Sequence, residues 1–295
     1  MDSRHEAERS WTIDAARRLW ALYEPVHALT YFAPAALAGA GPLGGSFWAR
    51  YVAQRAAPLG QAPTAVVVAA FGGFAPDRIA DALAGVAPDT TPTEALETRL
   101  RGVDAAWREL PGLPDDAVVT EAADLAWAAA QACEDAGRVL GAANRALPRP
   151  PAPHLALWQA TTTLREHRGD GHLAALAVQG IGPVTSHVLK VAARESPGRD
   201  LRLGRRIPDD AWTAEVDRLS TRGLVRAGPD GEPVLTDDGE ALHAAVEDAT
   251  DRAAGRPWEV LGAAPTDRLA ALLEPIAAAA RTVVPPLNPI GLPRR

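Results

Sequence analysis

Two stretches of the chain crowd residue types that can do chemistry. The first is Trp20, Glu24, His27 and Tyr31, spaced i, i+4, i+7 and i+11. On an α-helix these positions share one face. Three rings and a carboxylate on one stripe suit a pocket for a flat organic molecule. The same stripe also suits a buried aromatic face with a satisfied histidine. The second stretch is Arg165-Glu166-His167-Arg168-Gly169-Asp170-Gly171-His172. His167 and His172 are five apart with a carboxylate between them, and imidazole with carboxylate can ligate zinc or iron. The spacing misses the i, i+4 pair of one helix face, so no metal is assigned. The plainer reading is that Arg168 supports a helix end, Gly169 terminates the helix and Asp170 caps the next one. Histidine titrates near neutrality, so either stretch also suits acid–base work.

The elements that must position these groups are helical. Leu19, Leu22, Val26 and Leu29 recur at spacings of three and four, which predicts a helix from Thr12 to Phe32. Pro25 interrupts that pattern and is expected to kink the helix or divide it. A Gly/Pro-rich joint over residues 39–45 follows, then a helix from Ser46 to Ala57. Three consecutive valines within Ala65 to Phe71 fit a strand or a buried helix, and the helix is preferred because no partner strand is evident. Further helices fit Pro76 to Leu83, Thr93 to Leu110, and an alanine-rich stretch from Asp115 to Ala146. Residues 148–153 hold four prolines in six positions and mark the expected domain boundary. Helices are then expected from His154 to Arg168, His172 to Gln179, Val184 to Arg194 and Asp209 to Arg222. Two short extended runs, Leu224 to Ala227 and Glu232 to Leu235, flank Asp230-Gly231, a tight-turn signal. Thr236 caps a following helix, and a last helix fits Pro265 to Thr282 before a proline-rich tail. The expected fold is mainly α. An all-α domain spans 1–147, a proline-rich linker 148–153, a winged helix with a small β-wing 154–251, and a C-terminal helix and tail 252–295.

Composition bounds the function. The chain of 295 residues is long enough for two domains. No run of 18 apolar residues exists to span a membrane. Met1 to Glu6 is polar and no signal-peptide core follows, which makes the cytoplasm the expected location. Cys133 is the one cysteine, which excludes intrachain disulfides and cysteine-based zinc clusters. The net charge of −7 gives no overall pull toward nucleic acid or anionic membrane. The basic residues include a single lysine, Lys190, which fits GC-rich codon usage and makes arginine abundance uninformative. Neither a dinucleotide fingerprint, a P-loop, a Gly-x-Ser-x-Gly elbow nor a Cys–His pairing is present, so no cofactor is expected.

Val216-Asp217-Arg218-Leu219-Ser220-Thr221-Arg222-Gly223-Leu224-Val225-Arg226, with Leu235-Thr236-Asp237-Asp238-Gly239-Glu240-Ala241-Leu242, resembles the MarR family of regulators. The shared pattern is a helix ending in LxxRGLV, a β-wing, then LTxxGxxL, over some thirty residues. More loosely, Leu164 to Gly182 resembles the start of the preceding helix–turn–helix. The stretches LWALYEPVHALTYFAP and LWQATTTLREHRGDGH also look like an actinobacterial family of helix-turn-helix proteins carrying such a module. The resemblance implies a ligand site between a helical dimerisation region and the winged helix. It also implies a homodimer.

The chain departs from that pattern in its DNA-facing groups. Asp209, Asp210, Glu215 and Asp217 oppose only Arg218 and Arg222 on the recognition helix. Eight acidic residues and no Arg or Lys lie between Ala227 and Asp251. Phosphate contacts supply most non-specific DNA affinity, and this surface subtracts from it. Arg205 and Arg206 precede the helix and are weak candidates for backbone contacts, as are Arg218 and Arg222. Fourteen residues, 195–208, stand where a tight turn is expected.

The expectation is a small-molecule-binding protein of regulator descent, with DNA binding weak or lost. The alternatives are an enzyme using a histidine/carboxylate pocket on a small, aromatic substrate, and an interaction scaffold. The expected ligand-binding set is Trp20, Glu24, His27 and Tyr31 with Trp158, Arg165, His167 and His172. Trp158 and Arg165 share a helix face, whereas His167 lies about 160° from Arg165 and joins them only if the helix unwinds before Gly169.

Overall fold

The computed structural model describes residues 3–285, and residues 3–9 by their backbone only. The expected tail beyond Pro285 lies outside the described residues. The helices are α1 Ser3–Phe32, α2 Pro34–Gly39, α3 Phe47–Ala56, α4 Thr64–Ala70, α5 Pro76–Ala84, α6 Pro92–Glu109, α7 Asp116–Gln131 and α8 Val139–Arg145. They continue as α9 Pro153–Val178, α10 Pro183–Ala192, α11 Gly198–Arg205, α12 Asp209–Thr221, α13 Asp237–Ala253, α14 Arg256–Leu261 and α15 Ala263–Arg281. Strands β1 Val225–Ala227 and β2 Pro233–Leu235 pair antiparallel, with Arg226 opposite Val234.

The largest apolar core joins α1, α7, the N-terminal half of α9, α14 and α15. Alanine dominates α7 within it, which lets the backbones come close. An aromatic cluster of Tyr31, Tyr51, Phe71 and Phe74 lies between α1, α3 and the end of α4. A separate core, with Leu176, Val188, Leu201, Trp212, Leu219 and Val246, holds α10 to α13 and the end of α9. Thus α9 serves both cores. The prolines at 148–153 lead directly into it, and α14 and α15 return to pack on α1 and α7.

Local expectations change at several points. Of the kink or division expected at Pro25, the division does not occur. Proline cannot donate to the carbonyl four residues earlier, and that carbonyl, on Ala21, accepts instead from Arg281 Nη2 at 2.6 Å. Gly169-Asp170-Gly171 does not break α9. A Cβ on Gly171 would meet Arg138 Nη1 at 2.2 Å, and Arg138 bonds the carbonyls of His167 and Ala253 at 2.8 Å each. Gly171 makes room for these neighbours rather than a turn. The helix expected from Asp115 to Ala146 is two, α7 and α8, with Gly137 at φ +70° between them. The last expected helix is likewise preceded by a separate α14, parted from α15 by Gly262 at φ +84°.

Eight of the fourteen residues without an expected helix form α11. A three-residue turn, 206–208, then joins α11 to α12, so the tight turn exists and α11 is its first helix. Arg206 takes φ +57° in that turn. The motif after the wing is explained by space: a Cβ on Gly239 would meet Leu224 O at 2.0 Å. Thr236 Oγ1 caps α13 by accepting from Gly239 N at 3.2 Å.

Candidate functional site

A cleft of about 640 Å³ lies where α10, α11 and α13 meet the helical body. On the body side, α1 places Trp20 and Glu24, α3 places Arg55, α9 places Arg165, Arg168 and His172, and the turn after α4 places Phe71 to Phe74. On the other side stand His187 and Lys190 of α10, Glu195, Arg205 of α11, and His243 and Glu247 of α13.

The two helices expected to meet do meet. Arg165 Nε donates to Glu24 Oε1 at 3.4 Å, His27 Nδ1 lies 3.0 Å from Thr162 Oγ1, and Trp158 Nε1 donates to His27 O at 3.1 Å. The contacts step along α1 and α9 in opposite directions. The expected ligand-binding set nevertheless divides. Trp20, Glu24, Arg165 and His172 line the cleft, whereas His27, Tyr31, Trp158 and His167 do not. His27 and Trp158 are fully buried. The His27 ring packs edge-on against Tyr31 at 5.3 Å, and burial holds its pKa well below the ordinary value. His167 turns toward Gly141, whose added Cβ would come within 2.9 Å of His167 Cα. Because α9 does not unwind, His167 stays on the wrong side of the helix.

Glu166 anchors the floor beneath the cleft. It accepts from Arg55 Nε and Nη2 at 2.8 and 2.9 Å and from Arg165 Nη1 at 3.0 Å. Burial alone would raise its pKa, but Arg165 and Arg55 pull it below the usual carboxylate range. Arg168 stacks over Trp20 at 4.2 Å and donates to Asp251 at 2.7 Å. Asp251, fully buried on α13, also accepts from Arg17 Nε at 2.6 Å, which ties α13 to α1 and α9.

The cleft carries three histidines in different states. His187 Nε2 lies 2.7 Å from Gly73 O. A carbonyl only accepts, so Nε2 bears the proton. Burial pushes its pKa down to about 3. His172 Nδ1 lies 3.0 Å from Thr250 Oγ1, and burial lowers its pKa to about 4. His243 Nε2 contacts Glu195 Oε1 at 2.8 Å, and that bond raises its pKa. Lys190 is lowered by burial. Sequence reasoning missed Arg55, Lys190, Glu195, His187, His243 and Glu247 at this site. Only Lys190, the single lysine, carried a signal. Among the described residues, no three His, Cys, Asp or Glu side chains converge to hold a metal ion.

The candidate DNA contacts separate as well. Arg205 and Arg206 face the body: Arg206 pairs with Asp81, and Arg205 stacks on Phe74 at 3.9 Å. Arg78 Nη2 also donates to Leu203 O at 2.9 Å. Arg218 is held by Glu215 at 2.8 Å and by Thr185 at 3.2 Å. Arg222 is exposed on α12 beside exposed Asp209, Asp210 and Asp217, and Arg226 is exposed on β1. In the wing, Asp230 pairs with Arg194 at 2.7 Å. No helix among the described residues is long and apolar enough to cross a membrane.

A family model described as a helix-turn-helix family matches residues 16–285, which takes in both the helical body and α10 to α13. No curated protein and no solved structure matches the chain.

Proposed function

We propose, from the premise that the chain belongs to this helix-turn-helix family, that it is a small-molecule-binding protein of MarR-like regulator descent. The cleft is its ligand site, and its DNA binding is weak or lost. The cleft carries this reading: at about 640 Å³ it has the size of a small-molecule site, and charged and titratable groups converge in it beside an apolar strip of Phe71, Phe74, Leu173, Leu176 and Ile181. Its position between the helical body and the helix-turn-helix would let a ligand bias one against the other.

Weak DNA binding rests on the groups that face outward. The exposed face of α12 presents Asp209, Asp210 and Asp217 against Arg222, with Arg218 already paired. Arg205, which would neutralise a phosphate, lines the cleft against Phe74, and Arg206 is paired at the surface with Asp81. We place the protein in the cytoplasm. Fluorescence anisotropy of the full chain on DNA from its own upstream region at low salt tests the DNA half. Sub-micromolar binding with a steep salt slope would refute it. Native mass spectrometry of the freshly purified chain, followed by a thermal-shift screen of organic compounds, tests the ligand half. A chain that carries nothing and is stabilised by no compound would count against the cleft.

A second reading is favoured by one observation. His243 and Glu195 lie 2.8 Å apart on the cleft wall, with His172 4.0 Å from Glu247 nearby, an arrangement suited to acid–base catalysis. Turnover of a bound compound, lost in His243→Gln, would establish it over simple binding.

A further inference from the structure

Arg205 differs from the cations around it. Arg55 and Arg165 share Glu166, and Arg165 also reaches Glu24. Arg168 has Asp251, and Arg194 has Asp230. Arg205 has no carboxylate within 4.0 Å and no side-chain hydrogen bond among the described residues, and its Nε is buried without a partner. Its guanidinium stacks 3.9 Å over Phe74 and lines the cleft. The absence of a side chain at Gly73 keeps the approach open: a Cβ there would stand 3.8 Å from Arg205 Nη1. Burial, with Arg55 and Arg165 close by, holds the Arg205 pKa down to about 10. The backbone is fixed around this group, since Ala75 N donates to Arg205 O at 3.2 Å and Arg206 is clamped to α5.

A guanidinium packed on Phe74 with its Nε buried and no carboxylate beside it is costly unless something neutralises it. We infer that Arg205 is the anchor for the carboxylate of an organic acid whose apolar body lies along Phe71, Leu173, Leu176 and Ile181. The inference deepens the ligand-binding reading and rests on it. One unmatched cation calls for one negative charge. The two oxygens of a carboxylate fit the guanidinium fork in parallel. A phosphate dianion would need a second unmatched cation, which the pairings above do not provide. The Phe74 ring stacked against Arg205 fixes the fork before the ligand arrives, which reduces the entropy lost on binding.

The test uses a matched pair of probes, 2-naphthoate and the neutral 2-naphthamide, titrated calorimetrically into the full chain. Wild type should bind the acid about tenfold or more tighter than the amide, as expected for a charge-assisted pair. Arg205→Gln should erase that advantage and leave the amide affinity unchanged. Arg205→Lys, which keeps the charge but not the fork, should retain part of it. Equal binding of acid and amide by wild type would overturn the inference and leave the cleft reading standing. An acid preference that survives in Arg205→Gln would overturn it too, because another cation would then hold the carboxylate. Failure of both probes to bind would sink both readings together. Among the described residues the Arg205 side chain makes no hydrogen bond or ion pair and only stacks on Phe74, so Arg205→Gln should leave Tm within a few degrees of wild type. A clear drop would mark Arg205 as a structural cation and overturn the assignment.

Discussion

Glu166 receives three guanidinium hydrogen bonds at a position only 1% exposed, and Glu166→Gln keeps its shape while removing its charge. The amide can accept through one oxygen only, and its NH2 must face a donor. In either orientation Arg55 keeps one bond to the amide oxygen beside the Tyr51 hydroxyl at 3.2 Å but faces the amide NH2 with its other donor, and Arg165 keeps Glu24 at 3.4 Å. Charge-assisted hydrogen bonds are worth about 1.5–3 kcal/mol each. Removing one partner of a buried pair costs about 3–5 kcal/mol, because an uncompensated charge stays behind. Glu24 offsets part of the loss at Arg165, which places the expected cost near the lower figure, about 3 kcal/mol. For a chain of this size that corresponds to a fall in Tm of about 6–12 °C. Urea denaturation at pH 7 is the assay, with the m-value checked for constancy so that the midpoint shift reports stability. The double variant Arg55→Met, Glu166→Met should recover much of the loss, since it removes both charges of the tightest pair. A loss below about 1 kcal/mol would show that water already solvates the pair, and the reasoning about a dry cleft floor would fail.

Acid should destabilise the fold earlier than carboxylate titration alone. His167 and His187 are buried and neutral, with pKa values held at about 4 and about 3 mainly by burial. The unfolded chain binds their protons below about pH 6.5 and the native state does not, so stability falls as pH drops from about 6.5 toward those values. Between pH 7.5 and 5.5 each should cost about 1.4 kcal/mol. His243, raised by Glu195, works in the opposite sense: its contribution is present below about pH 6.5 and is lost as pH rises through its folded value. A flat stability across that range, measured by urea melts, would refute neutral burial. Gly141→Ala should cost at least about 2 kcal/mol, because its Cβ would press on the His167 backbone at 2.9 Å rather than on a movable side-chain tip. A thermal melt within 2 °C of wild type would show that α8 can shift aside. Arg281→Met should cost about 1–3 kcal/mol by leaving the Ala21 carbonyl at Pro25 without its donor. An unchanged Tm would mean that water satisfies that carbonyl.

Helical periodicity, caps and turns are local, and the sequence alone was enough to read them. Leu19, Leu22, Val26 and Leu29 marked α1, Asp230-Gly231 marked the hairpin, and Thr236 marked the start of α13. The order of α12, wing and α13 was therefore legible, as was the helical nature of the valine run in α4. The meaning of several glycines and prolines was not. Gly169 and Gly171 read as a break, yet α9 runs through both, and Arg138 and the end of α13 need the space above Gly171. Pro25 read as a kink or a division, yet Arg281, 260 positions from Ala21, satisfies the carbonyl that the proline frees. The glycine-containing α11 leaves no periodic trace because it is short and largely polar, and its one buried leucine, Leu201, meets the α10 core only in the tertiary structure. The stripe from Trp20 to Tyr31 was correctly placed on one helix, but its two ends meet different surroundings. Glu24 reaches Arg165 at the cleft while His27 and Tyr31 sink into the core. A helix face fixes only an angle about an axis. Whether a residue on that face meets solvent, a neighbour or a cavity depends on partners more than a hundred residues distant, and these only the tertiary structure supplies.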